Sequence, residues 1–177
     1  MLRRTASLLV CGVLLAPAMR AQDEAEYRIK LAFLYNFAQF IEWPAEAFRD
    51  PAAPFTICVA GRNPFQGDTE QELRGRTAAG RPIQIKALKA DGELSACQIA
   101  FVRAGEKNTT AWILAGRKGS STLVVGEAKG FAQQGGTANL IVEEKKLRFE
   151  VNLEAARQTR LKFSAKLLSL ARIVTTD

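Results

Sequence analysis

The chain has no histidine among its 177 residues. That removes the Ser-His-Asp and Cys-His nucleophilic arrangements, a histidine general base and nearly every common zinc constellation. Cysteine is scarce as well, at three residues, which is too few for a thiolate metal site. Neither G-x-G-x-x-G nor G-x-x-x-x-G-K-[ST] occurs. The two Gly-rich places, Gly126-Glu-Ala-Lys-Gly130 and Gly135-Gly136, follow a strand pattern, and they read as tight turns rather than a phosphate cradle. There is no Lys/Arg block and no interleaving of aromatic with basic residues, so nucleic-acid binding has no footprint. Repeats and low-complexity stretches are absent too. Acid-base chemistry would then need paired carboxylates, and the candidates are Glu143/Glu144 in a turn and Glu150/Glu154 near the last strand. Adjacent turn glutamates are ordinarily solvated, and Glu150 is expected to pair with Arg148 or Lys162. The sequence therefore reads as a protein without catalytic machinery, metal or cofactor.

At the start of the chain, Arg3 and Arg4 precede an apolar run from Ala6 to Ala16, followed by small residues around Ala16-Pro17-Ala18 and Ala21. This is the pattern of a secretory signal peptide, residues 1–21, with the mature domain at 22–177. The apolar run is too short for a membrane anchor. Without Arg3, Arg4 and Arg20 the 25 basic residues become 22 against 18 acidic, a net charge of +4. The remaining length suits one domain that folds on its own core.

The most apolar stretch beyond the signal is Tyr27-Arg-Ile-Lys-Leu-Ala-Phe-Leu-Tyr-Asn-Phe-Ala-Gln-Phe-Ile-Glu-Trp43, which the spacing predicts to be a helix stopped by Pro44. At 100° per residue, Arg28, Ala32, Tyr35, Asn36, Gln39 and Glu42 fall on a narrow polar side. Phe33, Phe37, Phe40, Leu34, Ile41, Ala38 and Leu31 cover most of the rest. So broad an apolar side suggests two contacts, the core on one flank and a second protein on the other, with Phe33, Phe37, Phe40 and Trp43 as the candidate partner or dimer surface.

Downstream, short apolar runs alternate with helical stretches: strand 55–60, helix 64–74, strand 82–87, a helical turn at 91–95, strand 97–102, helix 106–116 and strand 122–127. Such alternation predicts parallel strands joined by crossover helices on both faces. The segments 140–142 and 147–151 flank Glu143-Glu-Lys-Lys146 as a hairpin, with Leu147, Phe149 and Val151 inward and Arg148, Glu150 and Asn152 outward and wet. Two helices, 153–160 and 164–173, close the chain, the second with Leu167, Leu168, Leu170 and Ala171 inward. The expected class is an α/β domain: a mostly parallel, Rossmann-like three-layer sheet with a C-terminal antiparallel hairpin and two terminal helices.

Loss of Cys11 with the signal leaves Cys58 and Cys97, an even pair in an exported chain. Each sits in a strand-like run, so a bond needs those strands adjacent; the alternative is two small buried thiols in a sheet.

Five ordered blocks carry a family resemblance: 27–44, Pro54-Phe-Thr-Ile-Cys-Val-Ala-Gly61, Val125-Gly-Glu through Gly130-Phe-Ala to Gly135-Gly136, Leu147-Arg-Phe-Glu-Val-Asn-Leu153, and Leu161-Lys-Phe-Ser-Ala-Lys-Leu-Leu-Ser-Leu-Ala-Arg-Ile-Val174. With their spacing they resemble the YfiR family of periplasmic regulatory proteins across essentially the whole mature chain. The resemblance implies a non-enzymatic α/β repressor that forms dimers and binds the periplasmic sensor domain of an inner-membrane diguanylate cyclase. An OmpA-like outer-membrane lipoprotein then sequesters the repressor, and cyclic-di-GMP rises. The best-known member carries two disulfides; Cys58 and Cys97 match the first pair in context, and the hairpin region has no cysteines to match the second.

Two expectations follow. The first is a repressor of a membrane signalling enzyme, a cyclase or a sensor kinase, that uses the first helix and the last two. The second is a periplasmic small-ligand sensor with Glu150, Asn152, Lys162 and Ser164 lining a pocket at the wet end of the sheet; ordinary surface ion pairs are the plain alternative there.

Overall fold

A computed structural model describes residues 15–89 and 93–176, with side chains from Gln22 onward. Most of the expected signal segment 1–21 and part of the helical turn expected at 91–95 lie outside the described residues. The helices are α1 (Leu15–Phe40), α2 (Asp68–Gln71), α3 (Lys107–Gly116), α4 (Leu153–Arg157) and α5 (Ala165–Leu170). The strands are β1 (Ile41–Glu42), β2 (Phe55–Ala60), β3 (Thr77–Ala78), β4 (Arg81–Leu88), β5 (Ile99–Val102), β6 (Leu123–Gly126), β7 (Ala138–Glu143), β8 (Lys146–Asn152), β9 (Lys162–Phe163) and β10 (Arg172–Val174).

Eight strands form one sheet in the order β10-β8-β7-β6-β5-β2-β4-β3, and β1 pairs with β9 as a separate ribbon. The sheet is mixed rather than mostly parallel. Strands β7, β6, β5, β2 and β4 run together, while β8, β10 and β3 run against them. The cause is chain length: the β7–β8 turn is Glu144-Lys145, both at positive φ (49° and 62°), and a two-residue connection of that kind can join only antiparallel strands.

The three layers are present. Strand β2 is buried throughout, and its side chains divide between two cores. Phe55, Ile57 and Val59 join Leu31, Leu34, Phe37 and Ala38 of α1 on one face, together with Ile99, Phe101, Val125, Phe149 and Val151. Cys58 and Ala60 join Ile113 of α3, Val102, Val124 and Phe131 on the other. Burial on both faces is what a continuous β-branched run encodes. Gly126 and Gly136 serve this second core directly, because a Cβ on either would sit 2.2 Å from the Phe131 ring. The Gly-rich segment thus admits a phenyl ring.

Cys58 and Cys97 are bonded, with Cα atoms 5.7 Å apart and both residues buried. Cys58 lies opposite Ala100 in the β2–β5 pairing, and Cys97 comes just before β5, at the end of the turn that leads into it. Closing a loop of 39 residues stabilises the fold by about 3–4 kcal/mol in the chain-entropy model.

Three boundary expectations are corrected. Helix α1 ends at Phe40 rather than Trp43, because Ile41 and Glu42 turn extended to pair with Phe163 and Lys162. The freed α1 carbonyls are taken up by the Trp43 indole N–H, which donates to Ala38 O at 3.2 Å, and by Ser164 N–H, which donates to Phe40 O at 3.2 Å. The helix expected at 64–74 contracts to Asp68–Gln71, bounded by Gly67 and Gly75 at positive φ. The helix expected at 164–173 stops at Leu170, whereupon Arg172–Val174 join the sheet edge beside β8. Leu170 is consequently 69% exposed instead of inward.

Candidate functional site

In an open α/β sheet the natural ligand crevice lies at the carboxyl ends of the strands, where the strand order reverses. Here that point falls between β2 and β5, since β4 lies to one side of β2 and β6 and β7 follow β5 on the other. On the α1 side it is filled by the protein itself, while on the α3 side a cavity of about 450 Å³ remains between the loops after β5 and β6. Lys30 on α1 places its ammonium 2.7 Å from Glu127 Oε2, just past the end of β6, with the two side chains 6% and 5% exposed. The Tyr27 hydroxyl donates to Glu127 Oε1 at 3.1 Å and accepts from Arg103 Nη2 at 2.8 Å. The Ala104 N–H donates to the same carboxylate oxygen at 3.0 Å, and Glu26 adds a second carboxylate 2.5 Å from Lys30. The Tyr27 ring stands edge-on to Phe65 at 6.0 Å. Beside it, the Glu106 side chain lies over Gly61, where any Cβ would come within 2.5 Å of its carboxylate.

The electrostatics match a satisfied buried cluster. Burial opposes the charge on Lys30, but hydrogen bonds to Glu127 and Glu26 outweigh it and hold the ammonium above its ordinary pKa. Burial, reinforced by the Glu127 charge, raises the Tyr27 phenol as well. These groups are committed to one another, and their chemistry is to pin α1 to the sheet crest.

A second region is open. Helix α3 covers the β2–β5–β6 part of its face, and beyond it the β7–β8–β10 part borders a cleft of about 610 Å³. Its floor carries Ile141, Glu143, Glu150 and Arg172, and its walls carry Glu127, Lys129, Gly130 and Gln133. Arg172 grips Glu143 with two hydrogen bonds of 2.5 and 2.6 Å and lies 3.9 Å from Glu150. The Glu150 carboxylate accepts from Asn139 Nδ2 at 3.3 Å.

Of the residues singled out from the sequence, Glu150, Asn152, Lys162 and Ser164 do not form one pocket. Phe149 and Val151 point into the α1 core, so Glu150 and Asn152 project from the opposite face. They are buried there, at 6% and 0% exposure, rather than wet. Asn152 caps α4 by accepting from Ala155 N–H and donates to Ala132 O. Lys162 instead lies beside Glu42 in the β1–β9 ribbon, mostly exposed, and Ser164 caps α5 through Leu167 N–H. The partner expected for Glu150 was Arg148 or Lys162; Arg148 pairs with Glu143, and Arg172 is the cation near Glu150.

The aromatic set divides as well. Phe37 is fully buried, and both it and Phe33 meet Phe149 edge-on, at 5.2 and 5.9 Å. Trp43 is half-buried against Phe55. Phe40 is 37% exposed, with Lys166 over its ring at 5.2 Å, and Ile29, Leu170 and Ile173 are further exposed apolar side chains.

Sequence reasoning missed the Tyr27–Lys30–Arg103–Glu127 cluster. A signal was available: Tyr27 and Lys30 share one helix face at i, i+3, and Glu127 and Arg103 each end a strand pattern. Among the described residues no group of three or more Cys, Asp or Glu side chains could hold a metal ion, and no helix is long and apolar enough to cross a membrane.

The chain is thus a mixed α/β domain whose strand ends on the α1 side are filled by its own side chains, with several apolar side chains exposed. The family model described as YfiR/HmsC-like matches residues 27–172, and the chain belongs to that family. Among curated proteins no relative matches the chain.

Proposed function

We propose that the protein is a periplasmic regulator of diguanylate cyclase signalling that binds the periplasmic sensor domain of an inner-membrane cyclase and holds the enzyme inactive. The observation that carries this reading is the family match over residues 27–172, which spans nearly all of the described fold. The buried Cys58–Cys97 bond suits an oxidising compartment. On the α1 side the strand ends are filled by Tyr27, Lys30, Arg103 and Glu127, and the exposed apolar side chains offer a surface for a partner. The contact surface takes in Phe40, exposed at the end of α1 where α5 begins, and Leu170, exposed at the last residue of α5; Phe33, Phe37 and Trp43 anchor the same end of α1 on Phe149 and Phe55. The active species is a homodimer, and an OmpA-like outer-membrane lipoprotein competes for it and relieves repression.

The test uses the disulfide-intact protein and the purified periplasmic domain of a membrane cyclase from the same cell. Binding, together with raised cyclic-di-GMP when the gene is deleted, supports the reading. Unchanged cyclic-di-GMP and no binding sink it. Phe40→Glu should abolish binding while the protein still melts cooperatively, since the side chain is exposed.

A further inference from the structure

The cleft over β7, β8 and β10 presents acceptors that lack donors. Glu150 is nearly enclosed, yet its carboxylate has one long hydrogen bond, from Asn139, and its nearest cation, Arg172, is already gripping Glu143. The side-chain oxygens of Asn139 and Gln133 are buried and have no partner. Asn139 is 0% exposed, stands opposite Glu150 in the β7–β8 ladder, and turns its amide N–H groups to Glu150 and to Ala128 O. Asn139 is therefore enclosed behind Glu150 and does not itself line the cleft. Native proteins rarely leave buried polar groups unmet, so the Gln133 oxygen and the weakly met Glu150 carboxylate, both at one cleft, call for something that donates. An ammonium or guanidinium group supplies three or five N–H donors and no acceptor. Ile141 and Val142 offer an apolar edge for an aliphatic stem, and about 610 Å³ lies within the range of small-molecule sites.

We propose that this cleft binds a small organic cation, an ammonium or guanidinium on a short aliphatic body, with its head on Glu150 and Gln133. The site needs no partner protein, so failure of the cyclase test leaves it standing and its own failure leaves the regulator reading untouched. Lys129, exposed at the rim, repels the ligand mildly and limits how much positive charge the cleft accepts.

Agmatine is the probe, titrated calorimetrically into the full disulfide-intact protein, with succinate as the anion of comparable length. Agmatine should bind with one site per chain and succinate should not. Glu150→Gln keeps the shape and removes the charge, and it should weaken agmatine about tenfold or more. Lys129→Glu, on the exposed rim, should tighten it severalfold without touching the floor. No agmatine heat at millimolar concentration, equal affinity in Glu150→Gln, or succinate binding through Lys129 would each overturn the assignment; should Glu150→Gln unfold, the Lys129→Glu comparison decides alone.

Discussion

The two carboxylates Glu127 and Glu150 stand on neighbouring walls of one fold and have opposite surroundings. Glu127 is met by an ammonium, a phenol and a backbone N–H, all within 3.1 Å. Glu150 is as deeply buried and has one hydrogen bond of 3.3 Å. Burial alone therefore says little about what a carboxylate is for. Its complement of donors distinguishes a structural rivet from an unfilled socket.

Breaking the rivet should have the largest effect. Lys30→Met leaves Glu127 charged and enclosed without its main counter-ion, and loss of one partner from a buried pair costs about 3–5 kcal/mol. Urea denaturation should show the midpoint fall accordingly; a change under about 1 kcal/mol would mean that Tyr27 and Arg103 suffice, and the contrast with Glu150 would weaken. Tyr27→Phe keeps the ring against Phe65 and removes only the hydroxyl that links Glu127 to Arg103. A hydrogen bond to a charged group is worth about 1.5–3 kcal/mol, and the unfolding free energy should drop within that range.

The same cluster sets an alkaline limit. Lys30 has a folded pKa above its unfolded value, so its contribution is fully present below the unfolded value, about 10.4, and is lost as pH rises through the raised one. The raised Tyr27 phenol acts in the same direction, because the unfolded chain ionises first. Melting temperature should fall above about pH 10, and by less in Lys30→Met. At the open cleft, Arg172→Ala removes a half-exposed pair with Glu143 and should cost about 1 kcal/mol or less by the same denaturation assay.

What the sequence revealed follows from how local each signal is. Strand β2, helix α3 and the β7–β8 hairpin were legible because a two-sided apolar run, a 3.6-residue period and an alternating pattern are each contained within one element. Strand β10 was not, since Arg172-Ile-Val continues a leucine-rich helical stretch and becomes strand only because β8 offers it an edge. The end of α1 was hidden for the same reason: Ile41 is a fair helix residue until Phe163 pairs with it. The expected ligand group failed on a matter of faces. Glu150 and Asn152 were correctly placed on the side away from Phe149, but the final segment returns under the opposite face and carries Lys162 and Ser164 to the end of α1. The Lys30–Glu127 pair joins residues 97 positions apart, and no local pattern announces a contact of that span.

The ribbon of Ile41–Glu42 with Lys162–Phe163 has one more consequence, and it concerns time. A chain delivered N-terminus first, from a ribosome or through a membrane pore, presents the aromatic face of α1 early and the residues that fasten its end almost last. Until then Phe33 and Phe37 also wait for Phe149, and the helix is an unshielded apolar rod. Closure of so non-local a contact is slow and leaves the chain prone to aggregation meanwhile. A newly made copy should therefore depend on a holdase until its last fifteen or so residues are free, and truncation before Lys162 should yield insoluble protein even though most of the sheet has already been made.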